Sequence, residues 1–271
     1  MQQNDSGNPY QAPSVEVVTA AAQGDTAFIA GGQAVPGGHG WDWITAGWGY
    51  FTQSPLIWIV NIVILLVINV VLGLIPLIGS LIGYVLWAVF NGGLMMGCQA
   101  QMQGRPLEVG DLFAGFKAKT GALMTVGALY AVAWIAVMVF GAILFMVVLG
   151  ASGAMGAIMS GDKSALMAMA GGATLGALFI GLLIMAAFVP IAMAFWFASV
   201  LVALQDVSPT AAIRMSFSAC LKNMVPFLLY GLIFLVLGIV ALIPFGLGLL
   251  VVVPLLITST YAAYRDIFLG D

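Results

Sequence analysis

The chain has 271 residues, is 63% hydrophobic and only 6% charged, and carries a net charge of −3 at pH 7; its mean hydropathy is +1.14. Soluble domains carry roughly 25% charged residues, so the composition excludes a soluble globular fold. It also excludes a nucleic-acid-binding surface, which needs clustered basic residues, and two cysteines, Cys98 and Cys220, are too few for a disulfide scaffold.

Residues 1–40 are polar and rich in Gly and Pro, with Tyr10 and Phe28 as their only aromatics. They cannot bury enough apolar surface to offset ordering entropy, which predicts a disordered tail ending in the linker "AVPGGHG". The opening "MQQNDSGNPYQAP" has no basic segment followed by an apolar run, so no cleavable signal peptide is expected.

The segment 41–55, "WDWITAGWGYFTQSP", places Trp41, Ile44, Trp48 and Phe51 on one helical face. Tryptophan suits the membrane–water boundary, and a short amphipathic helix lies in that boundary rather than crossing it. Two apolar runs follow, 55–75 and 78–102, joined by "IPLIG". Each is long enough for the roughly 20 helical residues that span a hydrocarbon core, and so short a Pro/Gly turn predicts a tight helical hairpin.

The pattern then repeats. In 107–121, "LEVGDLFAGFKAKTG", Val109, Leu112, Phe113 and Phe116 share a face with Lys117 and Lys119 beyond it. Runs at 121–149 and 172–204 follow. In 208–226, "SPTAAIRMSFSACLKNMVP", a Ser-Pro start precedes a stripe of Ile213, Phe217, Cys220, Leu221 and Met224, flanked by Arg214 and Lys222. Runs at 225–243 and 246–264 close the chain. The predicted architecture is all-α: six transmembrane helices in three repeats of an interfacial helix plus a helical hairpin, units 41–104, 107–205 and 208–271.

Orientation follows from the basic residues. Six spans put Arg105, Lys117, Lys119, Arg214, Lys222 and Arg265 on one side with both termini, and Lys163 alone on the other. This places both termini in the cytoplasm of a bacterial inner membrane. Trp41, Trp48, Lys117, Lys119, Arg214 and Lys222 become the expected lipid-headgroup contacts, since cations near anionic headgroups are stabilising.

No Asp, Glu, Lys, Arg or His falls within a span, so proton coupling has no obvious carrier. Asn61, Asn69 and Asn91 are the strongest polar groups at depth, either bonding between helices or lining a path. The second span of each unit carries a disruptor: Asn91 in "FNGG", Pro190 in "FVP" and Pro254 in "VVP". Proline removes a backbone hydrogen bond and kinks a helix, so Pro190 and Pro254 are expected helix breaks. These read either as packing kinks or as broken helices converging on a cavity. His39 is the only histidine and sits in the expected linker, so neither a catalytic dyad nor a histidine metal site is expected, and no cofactor.

The motifs "NPYQAP", "DLFAGFKAKTGAL" and "LLITSTYAAYRDIF" resemble those of a family of uncharacterised proteobacterial six-span inner-membrane proteins. The last unit, with "AAIRMSFSACLKN", is similar to a broader superfamily that includes the membrane domain attached to some glycerophosphoryl diester phosphodiesterases. The resemblance implies architecture and location and transfers no catalytic residue. The function expected is non-enzymatic, an accessory or scaffolding role in membrane homeostasis through lipids and partner proteins or a homo-oligomer. The alternative is a transporter or channel for a lipid-like or small apolar solute, through a cavity lined by the broken second helices.

Overall fold

A computed structural model describes residues 28–76, 78–151, 156, 159–161 and 163–271. Ten α-helices occupy them: α1 (His39–Gln53), α2 (Pro55–Gly73), α3 (Ile78–Met102), α4 (Ala114–Ala118), α5 (Thr120–Ala151), α6 (Lys163–Phe195), α7 (Ala198–Gln205), α8 (Pro209–Lys222), α9 (Met224–Leu242) and α10 (Leu249–Phe268). A 3₁₀ turn, Val109–Phe113, leads into α4. Six stretches are long and apolar enough to cross a membrane: Pro55–Gly73, Ile78–Met102, Thr120–Val148, Gly176–Gln205, Met224–Leu242 and Leu249–Phe268. These are the six expected spans.

The three-unit reading has a backbone signature. In each unit a single non-helical residue separates the interfacial helix from the first span: Ser54 (φ −148°, ψ 55°), Lys119 (φ −137°, ψ 32°) and Asn223 (φ −117°, ψ 34°). One residue outside the helical region turns the chain from the membrane plane into the membrane. Pro55 and Pro226 lie in the first turn of the following helix, where an N–H has no intrahelical partner to lose.

The units are linked in a ring. Each interfacial helix packs on the second span of the preceding unit: the 3₁₀ turn and α4 on α3, α8 on α6, and α1 on α10, which closes the circle from last unit to first. Small residues permit these approaches, as expected where helices associate without a hydrophobic driving force. A methyl group at Gly47 of α1 would lie 2.6 Å from the Ser259 nitrogen of α10, and one at Gly115 of α4 would lie 2.2 Å from the Val89 carbonyl of α3.

In α8 the buried face is Ala212, Ser216, Ala219 and Cys220, one residue round from the expected apolar stripe. Leu221 and Met224 of that stripe point outward, 48% and 59% exposed. The small residues face the protein because they admit α6, and the large apolar ones are left for lipid. Ser208 starts the helix in extended conformation with Pro209 following, but its hydroxyl makes no capping bond.

Two expectations are corrected. The tail does not extend to residue 40: residues 28–38 form a docked strap. Ile29 and Gln33 donate backbone hydrogen bonds to the carbonyls of Phe268 (2.8 Å) and Ile267 (2.9 Å), Val35 donates to Asn223 Oδ1 (2.8 Å), and Phe28 stacks on Phe268 at 6.2 Å. Hydrogen bonds to α10 and Asn223, with Phe28 and Val35 packed against the core, order this polar segment. Residues 1–27 lie outside the described residues. Nor are Pro190 and Pro254 helix breaks. Both sit inside continuous helices, α6 and α10, because proline's φ fits a helix and only one bond is lost. The interruption falls later, at Trp196–Phe197 between α6 and α7.

The middle hairpin extends well past the others. α5 has 32 residues and α6 has 33, each about 48–50 Å long at 1.5 Å per residue, against a hydrocarbon core of about 30 Å. Much of 151–172, the stretch between the two expected runs, is helical; residues 152–155, 157, 158 and 162 lie outside the described residues.

Candidate functional site: a cavity between the three second spans

The second spans of all three units border one cavity of about 250 Å³. From unit 1, α3 contributes Tyr84, Trp87, Asn91 and Met95. From unit 2, the end of α6 and start of α7 contribute Phe188, Phe195, Trp196 and Ser199. From unit 3, α10 contributes Leu256, Ile257 and Thr260, just beyond Pro254. The first span α5 adds Val126, Gly127 and Tyr130.

Gly127 sets the α3–α5 wall, since a methyl group there would lie 2.5 Å from Val85 Cα. Aromatic edges build the remainder: Tyr84 meets Tyr130 at 5.5 Å, and Tyr130 meets Phe195 at 5.1 Å. Behind Trp196 stand Phe227 and Tyr230 of α9, at 5.8 and 6.1 Å. Trp87, 41% exposed, marks the mouth. It also borders a neighbouring cavity of about 370 Å³ that holds Asn69 and Ser80.

The α6–α7 interruption is held open from outside the span. Ser216, fully buried on α8, accepts a hydrogen bond from the Phe197 N–H (3.0 Å) and donates to the Met193 carbonyl (2.7 Å). The backbone groups freed by the turn are thereby paired, as a low-dielectric setting requires. On α10, Ser259 and Thr260 donate back to the carbonyls of Leu255 (2.6 Å) and Leu256 (2.8 Å).

The lining is chiefly apolar and carries no Asp, Glu, Lys, Arg or His. Its polar groups are few: the Asn91 carboxamide, the Trp196 indole N–H, Tyr hydroxyls, Ser199 and Thr260. Asn91 makes no hydrogen bond among the described residues, and its Oδ1, like Trp196 Nε1, is buried without a partner. The arrangement can hold a neutral, largely apolar molecule; it offers no nucleophile–base pair.

The other expected residues separate into distinct settings. Asn69 bonds to its own helix, donating to the Leu65 carbonyl at 2.8 Å. Asn61 is fully buried with neither carboxamide atom partnered, and it lies outside the cavity. Neither bonds to another helix among the described residues. Trp41 and Trp48 are 55% and 49% exposed on α1, Lys117 and Arg214 are exposed, and Lys119 pairs with Asp206 at 2.5 Å. Lys222 is also exposed, but its ammonium is engaged by the strap, donating to the carbonyls of Gly32 (2.8 Å) and Gly31 (3.2 Å). Gly31 and Gly32 have positive φ, 84° and 68° respectively, which lets the strap aim two carbonyls at one cation.

His39 is no linker residue. It begins α1, and its Nδ1 lies 2.8 Å from Asp266 Oδ2, an oxygen that also accepts from Trp43 Nε1 at 2.7 Å. This polar cluster joins the strap and α1 to the end of α10. Among the described residues no group of three or more His, Cys, Asp or Glu is placed to hold a metal ion.

Sequence reasoning reached Asn91 and the neighbourhood of Pro190 and Pro254, and it missed Trp196, Ser199, Ser216 and Thr260. The available signal was the run of hydroxyls in "LLITSTYAAYRDIF" and a serine in the middle of an amphipathic helix. Neither shows which carbonyl will need it.

No family model matches this chain, and no solved structure matches it. It is similar to a probable inner membrane protein of Burkholderia thailandensis, with 29% identity over 252 residues, 84% of this chain and 90% of that protein.

Proposed function

We propose that this chain is a non-enzymatic, multi-pass inner-membrane protein that takes a lipid-like or small apolar solute into the cavity between its three second spans. The observation that supports this most is the convergence of all three repeats on one half-buried, uncharged cavity whose mouth, at Trp87, lies on the surface of the bundle. A cavity at a repeat interface, with one interrupted helix in its wall at Trp196–Phe197, is a setting in which membrane transporters hold a solute at depth. The inner-membrane assignment draws on the relative named above, and the cytoplasmic placement of both termini draws on the six basic residues gathered at that end.

An accessory role through lipid contact draws on a separate observation. Trp41, Trp48, Lys117 and Arg214 are exposed on the interfacial helices, where indoles and cations suit headgroups.

Photolabelling tests the solute reading. In nanodiscs, an alkane carrying a diazirine should label peptides of α3 and of the α6–α7 interruption in a saturable manner. Ala192 also lines the cavity, and Ala192→Phe should suppress that labelling while leaving labelling of the outer face of α9 unchanged. Uniform labelling of all apolar surfaces in both proteins would overturn the proposal.

A further inference from the structure

Resting on the reading above that the cavity binds a solute, we infer that its ligand is a membrane lipid of the leaflet remote from the termini, held by one acyl chain in the central cavity with its head in the neighbouring cavity, beside Asn69 and Ser80.

The two cavities follow one another along α3. The cavity of about 370 Å³ is bordered by Gly79, Ser80 and Gly83, near the start of the helix. The central cavity of about 250 Å³ is bordered by Ala88, Asn91 and Met95, further along it. Tyr84 and Trp87 border both. Asn69, Leu72 and Gly73, in the last turns of α2, also border the first cavity, which places it at the hairpin end opposite the interfacial helices. From Ser80 to Met95 is about 22 Å at 1.5 Å per residue. One leaflet contributes about 15 Å of a hydrocarbon core of about 30 Å, so the pair of cavities accommodates a lipid chain and the root of its head.

The direction follows from where the central cavity is closed. Toward the interfacial helices its floor is buried: Met95, Ser199 and Thr260 are 1%, 5% and 7% exposed. Toward the other end its rim is open, with Trp87 at 41% and Phe188 at 47%. A lipid of the leaflet beside the termini would have to pass its head through that floor. A lipid of the remote leaflet needs only to turn one chain inward past Tyr84, Trp87 and Tyr130, with its head left at the outer cavity. A pocket open at one end holds or hands over a lipid; it does not conduct one across the membrane.

The chemistry of the walls agrees with this direction. Around the central cavity Val126, Phe188, Ala192, Leu256 and Ile257 suit a hydrocarbon chain. An empty apolar void forfeits dispersion contacts, and a chain from adjoining lipid restores them without leaving an apolar medium. By proportion to the 150 Å³ that holds the six carbons of benzene, about 250 Å³ holds roughly ten chain carbons. In the outer cavity Asn69 and Ser80 are exposed, so a head there meets a carboxamide, a hydroxyl and water. No Asp, Glu, Lys, Arg or His lines either cavity, so the ligand is selected by its chain rather than by the charge of its head.

Two photoprobes test this in phosphatidylcholine nanodiscs: phosphatidylcholine with a diazirine at the end of one acyl chain, and phosphatidylcholine with a diazirine on its head. The chain probe should label 88–95 and 192–199, and the head probe 69–73 and 79–83, each well above the outer face of α9. Gly83→Phe narrows the outer cavity, and a methyl group there meets only Leu72 Cδ1, at 3.9 Å. It should lower both labels about tenfold, the worth of roughly two buried methylenes, with unfolding unchanged; should it fail to fold, the two-probe comparison in the parent protein decides the orientation by itself. If the head probe labels 88–95 and the chain probe 69–73, or if a folded Gly83→Phe labels as the parent protein does, the proposal is overturned. If the diazirine-bearing alkane labels the central cavity saturably while neither lipid probe exceeds the α9 level, the cavity takes small solutes and the lipid assignment is wrong. If all three probes label at the α9 level, the solute reading itself fails.

Discussion

The backbone N–H of Phe197 donates to the hydroxyl of Ser216, 3.0 Å away on a different unit's interfacial helix. The same hydroxyl donates to Met193 at 2.7 Å, so one side chain pairs both backbone groups that the α6–α7 turn exposes. Ser216→Ala leaves a buried donor and a buried acceptor without partners. It should lower stability by about 1–3 kcal/mol, read by thermal or SDS unfolding in matched detergent. An unchanged unfolding curve would mean that the turn does not depend on α8.

The ring of units depends on close backbone approach, and α1 contains its own control. A methyl group at Gly47 would lie 2.6 Å from the Ser259 nitrogen, whereas one at Gly49 meets nothing within 4 Å. Gly47→Ala should destabilise by about 1–3 kcal/mol through overpacking. Gly49→Ala should be neutral or stabilising by up to about 1 kcal/mol, from helix propensity. Equal effects at the two positions, measured in the same unfolding assay, would argue that α1 does not seat on α10.

The architecture was legible in the sequence because membrane physics reads out in one dimension. Span length, short Pro/Gly turns and amphipathic stripes place all six spans and the three interfacial helices close to where they lie. What remained hidden depends on pairings across the chain. The strap was read as disordered because burial was the only ordering force considered; its order comes from hydrogen bonds to Phe268, Ile267 and Asn223, nearly 200 residues or more away, with Phe28 and Val35 packed against the core. The apolar stripe on α8 was legible, but not which face meets the protein: Ala212 and Ser216 turn inward and Leu221 outward. Pro190 and Pro254 marked the correct depth for the cavity while misplacing the break. Asn91 was weighed equally with Asn61 and Asn69, because nothing local distinguishes an asparagine beside a cavity from one in a packed interface.

The orientation is tested with engineered thiols, because the native ones are shielded. Cys98 and Cys220 are 0% and 4% exposed, and burial pushes the Cys220 thiol up to about 12, so little of the reactive thiolate exists at neutral pH. Neither should react with an impermeant maleimide until SDS is added. Asp42→Cys and Gln103→Cys should react only after cells are opened, and Ser160→Cys in intact spheroplasts. The reverse pattern would place the termini outside. The shift also has a stability consequence. From pH 9.0, where the unfolded thiol ionises, to about 12, the folded state keeps a proton that the unfolded state has lost. Stability should therefore fall with rising pH over that range, and Cys220→Ala should remove this component.

Arg214 and Lys222 lie eight residues apart on α8 and should behave differently. Arg214 is exposed and has no hydrogen-bond or ion-pair partner among the described residues, which leaves its guanidinium for headgroups. A basic residue near an anionic surface contributes on the order of 1 kcal/mol, so Arg214→Gln should reduce co-purified anionic lipid and leave unfolding nearly unchanged. Lys222 instead holds the strap through the Gly31 and Gly32 carbonyls, beside Asn223, which binds Val35 and Gln33 at 2.8 Å each. Hydrogen bonds to a charged group contribute about 1.5–3 kcal/mol. Lys222→Gln should therefore loosen residues 28–38, seen as faster amide exchange at Ile29 and Gln33, with little change in bound lipid. Asn223→Ala should release the strap more completely, and deletion of residues 2–36 should lower the unfolding temperature by a similar amount. If Lys222→Gln instead strips lipid while amide exchange in the strap stays slow, its ammonium faces the headgroups and the strap is held by its backbone bonds alone.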